Sequence, residues 1–106
     1  MNEMEKIRDI LLEHKGKRNA ITSKSISAIM GYPKEDTQSV SRSKIEECQE
    51  IFGLPLVSCS RGYYIAETDE EMYEYNENID KRITGMNQRR NMTNKFYKEG
   101  NKWNLL

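Results

Sequence analysis

Residues 36–66, DTQSVSRSKIEECQEIFGLPLVSCSRGYYIA, decide the fold. Ser41, Ile45, Cys48 and Phe52 recur at the three-to-four spacing of one helical face, with Ile51 adjoining it. Ser39, Ser43, Glu46, Glu47 and Glu50 fall on the opposite face and Arg42 on a flank. The spacing predicts a helix over residues 37–52. Asp36 is its expected N-cap, because a carboxylate accepts from free backbone N–H groups and suits the positive end of the helix dipole. Gly53 ends the helix, and Pro55 guards a strand start. Residues 56–60 and 63–66 then read as two strands joined at Arg61-Gly62, with Gly62 supplying a positive φ. Alternation puts Leu56, Tyr63 and Ile65 on one face and Val57, Cys59 and Tyr64 on the other. The first set is expected to face the core.

Upstream, residues 23–30 read as a short helix capped by Thr22 or Ser23. Ile26, Ile29 and Met30 are its expected buried side. Gly31 closes it, and Tyr32-Pro33 disfavours continuation because proline pushes the preceding residue out of the helical region. A short helix, a glycine, a turn and a second helix form a helix-turn-helix pattern. Earlier still, Met4, Ile7, Ile10, Leu11 and His14 mark one face of a helix over residues 3–15, with Leu12 beside it. Gly16 suits a left-handed residue after that helix, and Lys15, Lys17 and Arg18 suit its negative end. Asn19-Ala20-Ile21-Thr22 is an extended connection able to add a third strand to the hairpin.

Downstream, Thr68-Asp69-Glu70-Glu71 is a capping box opening a long helix. Met72, Tyr75, Ile79, Ile83 (or Arg82) and Met86 mark a narrow stripe, continued by Thr93 and Tyr97. Gly85 and the NQRRNMTN run from Asn87 weaken helix propensity there. Residues 67–80 hold 7 acids and no base, whereas residues 81–106 hold 7 bases and one acid, Glu99. The helix is expected either to pair with its copy or to give way to a basic tail on phosphates from Arg89 onward. The acid-then-base order also suits the helix dipole alone. Trp103, beside Lys102, can dock on a partner or fold back. The expected division is 1–67, 68–99 and 100–106.

With 106 residues the chain fits one compact domain and an appendage. Its formal charge is zero, with 17 basic and 17 acidic side chains, which does not favour a nucleic-acid partner by itself. Residues 1–66 hold 10 Lys or Arg and 9 Asp or Glu. Cys48 and Cys59 lack any CxxC or metal spacing and read as two reduced thiols. His14, the one histidine, reads as a helix-end residue at the edge of the core. There is no Gly-rich phosphate loop and no nucleophile with a nearby base, so no catalytic residue, cofactor or metal is expected and an enzyme is the least supported class. No signal peptide and no apolar run of about 18 residues is present, so a cytoplasmic protein without a membrane partner is expected.

Three motifs carry a resemblance: IxSxSISAIMGYP over the first helix and turn, SVSRSKIEECQEIFGLP over the second helix, and LPLVSCSRGYYIAET over the hairpin. Residues 21–68 resemble the winged helix-turn-helix domains of small bacterial and phage DNA-binding proteins. The implied fold is mainly α with a small β-hairpin (α+β), a winged helix-turn-helix followed by a long C-terminal helix. The implied partner is double-stranded DNA, bound by a homodimer on a palindrome in a transcription or replication accessory role. The implied contacts are Lys17, Arg18, Lys24, the helix dipoles and the basic tail on phosphates; Thr37, Gln38, Ser39, Arg42 and Ser43 at base edges; Arg61 and Tyr64 at the flanking backbone or minor groove; and Lys44 as a further DNA-binding residue. The sequence departs from a strong DNA binder in that only Arg42 and Lys44 are basic on the second helix, and three glutamates follow. The alternative is a winged helix that binds protein, such as a phage protein capturing a host protein.

Overall fold

A computed structural model describes residues 2–34 and 38–100 of the chain. Two compact units divide within the last helix, between Met72 and Tyr73. The first contains helix α1 (Glu3–Leu12), a 3-10 turn (Lys17–Asn19), α2 (Ser23–Met30), α3 (Ser39–Phe52) and strands β1 (Leu56–Cys59) and β2 (Gly62–Ile65). Helix α4 (Asp69–Lys98) begins in the first unit and makes up nearly all of the described part of the second. The architecture is α+β, mainly helical, with one two-stranded antiparallel hairpin and a long C-terminal helix. The order of helices and hairpin is compatible with a winged helix.

The apolar periodicities converge on one core. Ile7 and Leu11 of α1, Ile26 of α2, Ile45 and Cys48 of α3, and Leu56 and Ile65 of the hairpin are buried together with Ile21. Met4, Ile10, Met30, Phe52, Leu54 and Tyr63 pack around them. Burying each Ile or Leu side chain removes enough apolar surface from water to contribute about 1.5–3 kcal/mol. The hairpin faces the core with Leu56, Ile65 and Tyr63, as alternation predicts. Val57 and Tyr64, paired across the strands on the other face, are buried as well, at 3% and 2% exposure.

Helix ends follow local chemistry where the cap is a side chain. Asn2 and Glu5 form a reciprocal capping box on α1. Thr22 Oγ1 accepts from Ser25 N–H at 3.1 Å and opens α2 where the sequence places it. Gly31 closes α2 in the left-handed conformation.

Other ends differ from expectation. α1 stops at Leu12 rather than Lys15, and His14 Nδ1 lies 2.7 Å from the Asn19 carbonyl oxygen. Gly16 is not the end of α1 but precedes the 3-10 turn. Gly16 N–H donates to the Ile65 carbonyl, which carries the chain alongside β2 instead of prolonging the helix. α3 starts at Ser39, two residues later than predicted, with Gln38 in the left-handed conformation (φ 56°) at the cap position. Asp36, the expected cap, lies outside the described residues. Ile29, expected in the core, is 62% exposed, whereas Ser27 is buried.

The hairpin turn also shifts by one residue. Cys59 pairs with Gly62, so Ser60-Arg61 forms the loop and Gly62 begins β2 with φ 118°. A Cβ on Gly62 would stand 2.3 Å from the Ile21 carbonyl oxygen. The reason for the glycine is this close approach as much as the turn. Ile21 and Tyr63 exchange two backbone hydrogen bonds, of 2.8 and 2.7 Å. The expected third strand is therefore a single bridge at Ile21.

Glu71 ties the start of α4 into the first unit. Its Oε1 accepts from the N–H groups of Glu67 and Thr68, and its Oε2 accepts from Lys17 N–H at 2.7 Å. Thr68 Oγ1 accepts from Glu71 N–H in return, which completes the predicted capping box. Beyond Met72 the helix runs unbroken through Gly85 and residues 87–94, against the low propensity there. None of its side chains is buried. No described helix is long and apolar enough to cross a membrane.

Candidate nucleic-acid interface

α3 is held on two sides before it presents anything to solvent. Ser41, 2% exposed, donates from Oγ to the Ser23 carbonyl at 3.2 Å and so fastens the first turn of α3 to the start of α2. Deeper in the helix, Cys48 Sγ donates to the Met4 carbonyl of α1 at 3.5 Å. Burial pushes the Cys48 thiol up, so it stays protonated and packs as a small apolar group. The opposite face carries Ser39, Ser43, Glu46, Glu47 and Glu50, all exposed as the periodicity predicts.

Arg42, on the flank, lines a groove of about 380 Å³ between α3, the start of α2 and the hairpin. Thr22, Ser23, Ser58, Cys59, Ser60, Gly62 and Tyr63 complete its walls. Burial pushes the Tyr63 phenol up; the Arg42 charge opposes that shift and Glu46 adds to it. A guanidinium, hydroxyls and a helix start gathered in one groove provide donors of the kind that engage phosphate oxygens or base edges. The wall residues Ser58 and Ser60 escaped the sequence reading. Their signal is the pair of hydroxyls two residues apart, which turns the face opened by Leu56 polar toward the hairpin tip.

The other expected contact residues divide. Arg61 is exposed at the hairpin tip, and Lys24 is exposed on the first turn of α2. Gln38 is half-buried at the start of α3, and Thr37 lies outside the described residues. Two others are placed away from an open surface or beside a partner. Tyr64 is 2% exposed, so its ring is part of the packing and not of an outer surface. The Lys44 ammonium is engaged by Glu3 Oε1 at 2.8 Å and lies 5.9 Å from the centre of the Tyr32 ring. Tyr32 Oη donates to the other Glu3 oxygen at 2.9 Å. The Lys44 and Tyr32 bonds hold the Glu3 carboxyl below its usual range. Burial, then the bond to Glu3, pushes the Tyr32 phenol up to about 12. Lys44 thus serves the α1–α3 junction.

Among the described residues no cluster of three or more His, Cys, Asp or Glu is placed to hold a metal ion. No protein-family model, characterised protein or solved structure matches the chain.

Proposed function

We propose that the first unit binds double-stranded DNA, with the N-terminal half of α3 in the major groove and the hairpin tip beside the flanking backbone. The observation that carries this reading is Arg42, which stands in one groove with the α2 start and the hydroxyl-bearing strand β1. A helix that enters the major groove by its first turns offers side chains there to base edges. Ser39, Arg42 and Ser43 occupy those turns, and Arg61 projects from the loop alongside. Lys24 and the start of α2 then meet phosphate and set the register. Lys44 and Tyr64 drop out of the contact set, for the reasons given above. A role in transcription or replication control follows from such binding.

A second reading, in which the same surface takes a host protein, is favoured by Glu46, Glu47 and Glu50 on the outer face of α3 and by the 55% exposure of Ile51. Retardation of duplex DNA on gels across a salt series separates the two. DNA binding predicts retardation that falls steeply with salt. Arg42→Ala then relaxes sequence preference, at about 1–3 kcal/mol for the bases it reads, and Lys24→Ala weakens all sequences alike. A protein that retards no fragment at low salt sinks the DNA reading and leaves the protein-binding one.

A further inference from the structure

α4 carries a partner preference of its own. Met72, Tyr75, Ile79, Ile83 and Met86 follow one side of the helix at three-to-four spacing, and Arg90, Thr93 and Tyr97 continue that side. From its middle onward that side is open, with Ile83 51%, Met86 67% and Tyr97 85% exposed. A helix of 30 residues spans about 45 Å, and helices in water draw most of their stability from covering an apolar side.

The charges choose what covers it. The acidic block at residues 67–80 carries no base, and the basic block at 81–106 carries one acid. Two copies of α4 side by side in parallel set acid on acid and base on base. Turned antiparallel, each acidic half meets the other copy's basic half along the whole length. The arrangement is self-complementary, as a two-fold contact between identical chains requires. We infer that the occupant of this side is a second copy of the chain, with its α4 antiparallel to the first. Centred on Ile83 and Met86, the pair sets each Ile83 beside the other copy's Met86. The inference goes beyond DNA binding and holds whichever ligand α3 takes.

Sedimentation equilibrium of the full chain is expected at twice its 12.5 kDa. Ile83→Asp combined with Met86→Asp is expected to weaken self-association by at least about a hundredfold, since two apolar side chains per copy lose their cover. Arg89→Glu combined with Arg90→Glu, confined to exposed charges, should weaken it as well. In a Cys59→Ser background, oxidation of Asn76→Cys chains mixed with Asn94→Cys chains is expected to yield the mixed disulfide. Disulfides that form only between like chains, Asn76→Cys with Asn76→Cys, and no mixed disulfide overturn the antiparallel arrangement. A wild-type chain that sediments at 12.5 kDa at every concentration overturns the pairing altogether.

Discussion

α3 and α4 have similar apolar spacing and opposite fates. α3 has 14 residues and buries Ser41, Ile45 and Cys48, whereas α4 has 30 residues and buries none. The shorter helix is positioned by α1, α2 and the hairpin; the longer is begun by one cap and continues on local bonds. The difference teaches that a periodic stripe states what a helix can bury, and only the surrounding chain decides whether it does so. The backbone of α3 is thereby held in place, and Arg42 projects from a fixed stretch of helix. An open stripe suits a surface waiting for another molecule.

The comparison breaks first at Ile45. Its side chain is fully buried, so Ile45→Ala should cost about 2–5 kcal/mol in urea unfolding followed by tyrosine fluorescence. A loss under about 1 kcal/mol would mean that α3 is not held by its core face. The next test makes one change in both regions. Gly62→Ala meets the Ile21 carbonyl at a positive φ, and should cost about 1–3 kcal/mol and speed amide exchange at Ile21 and Tyr63. Gly85→Ala has nothing within 4 Å and lies inside a helix, so it should stabilise α4 by about 0.5–1 kcal/mol, read as a gain in helical signal on heating. Equal signs for the two would erase the contrast.

The smallest effect concerns the joint between the regions. The bonds from the Glu67, Lys17 and Thr68 N–H groups hold the Glu71 carboxyl below its usual range. A depressed folded pKa contributes stability above the unfolded carboxylate value, about 4.3, and the contribution is lost as pH falls through the folded value. Glu71→Gln should therefore flatten the acid limb of the stability curve and leave the neutral-to-alkaline limb unchanged in shape. An acid limb as steep as wild type would assign that limb to other carboxyls, Glu3 first among them, since Lys44 lowers it too.

What the sequence disclosed depended on the range of the interaction. The Thr22 cap, the Gly31 stop, the Thr68–Glu71 box and the buried face of α3 involve neighbours within a few residues, and each stands where the pattern puts it. The contacts that were not legible cross long stretches of chain. Lys44 meets Glu3 from 41 positions away, a helix-to-helix tie that no local pattern announces. Val57 and Tyr64 are buried on the face that alternation leaves outward. α3 starts later than its spacing predicts because Gln38 adopts a left-handed conformation that few non-glycine residues take. The groove itself is only half legible: Arg42 follows from the helical pattern, but its neighbours Thr22, Ser58 and Ser60 come from two other elements.

Gly62 sets how freely the hairpin can vary. Ser60 and Arg61 form an exposed loop, whereas the next position admits a hydrogen atom and little else against the Ile21 carbonyl. In a library randomised over these three positions, nearly all tolerated diversity should collect at the first two. The tip can then be rewritten for a new ligand without redrawing the scaffold, because a single invariant position keeps the strands in register.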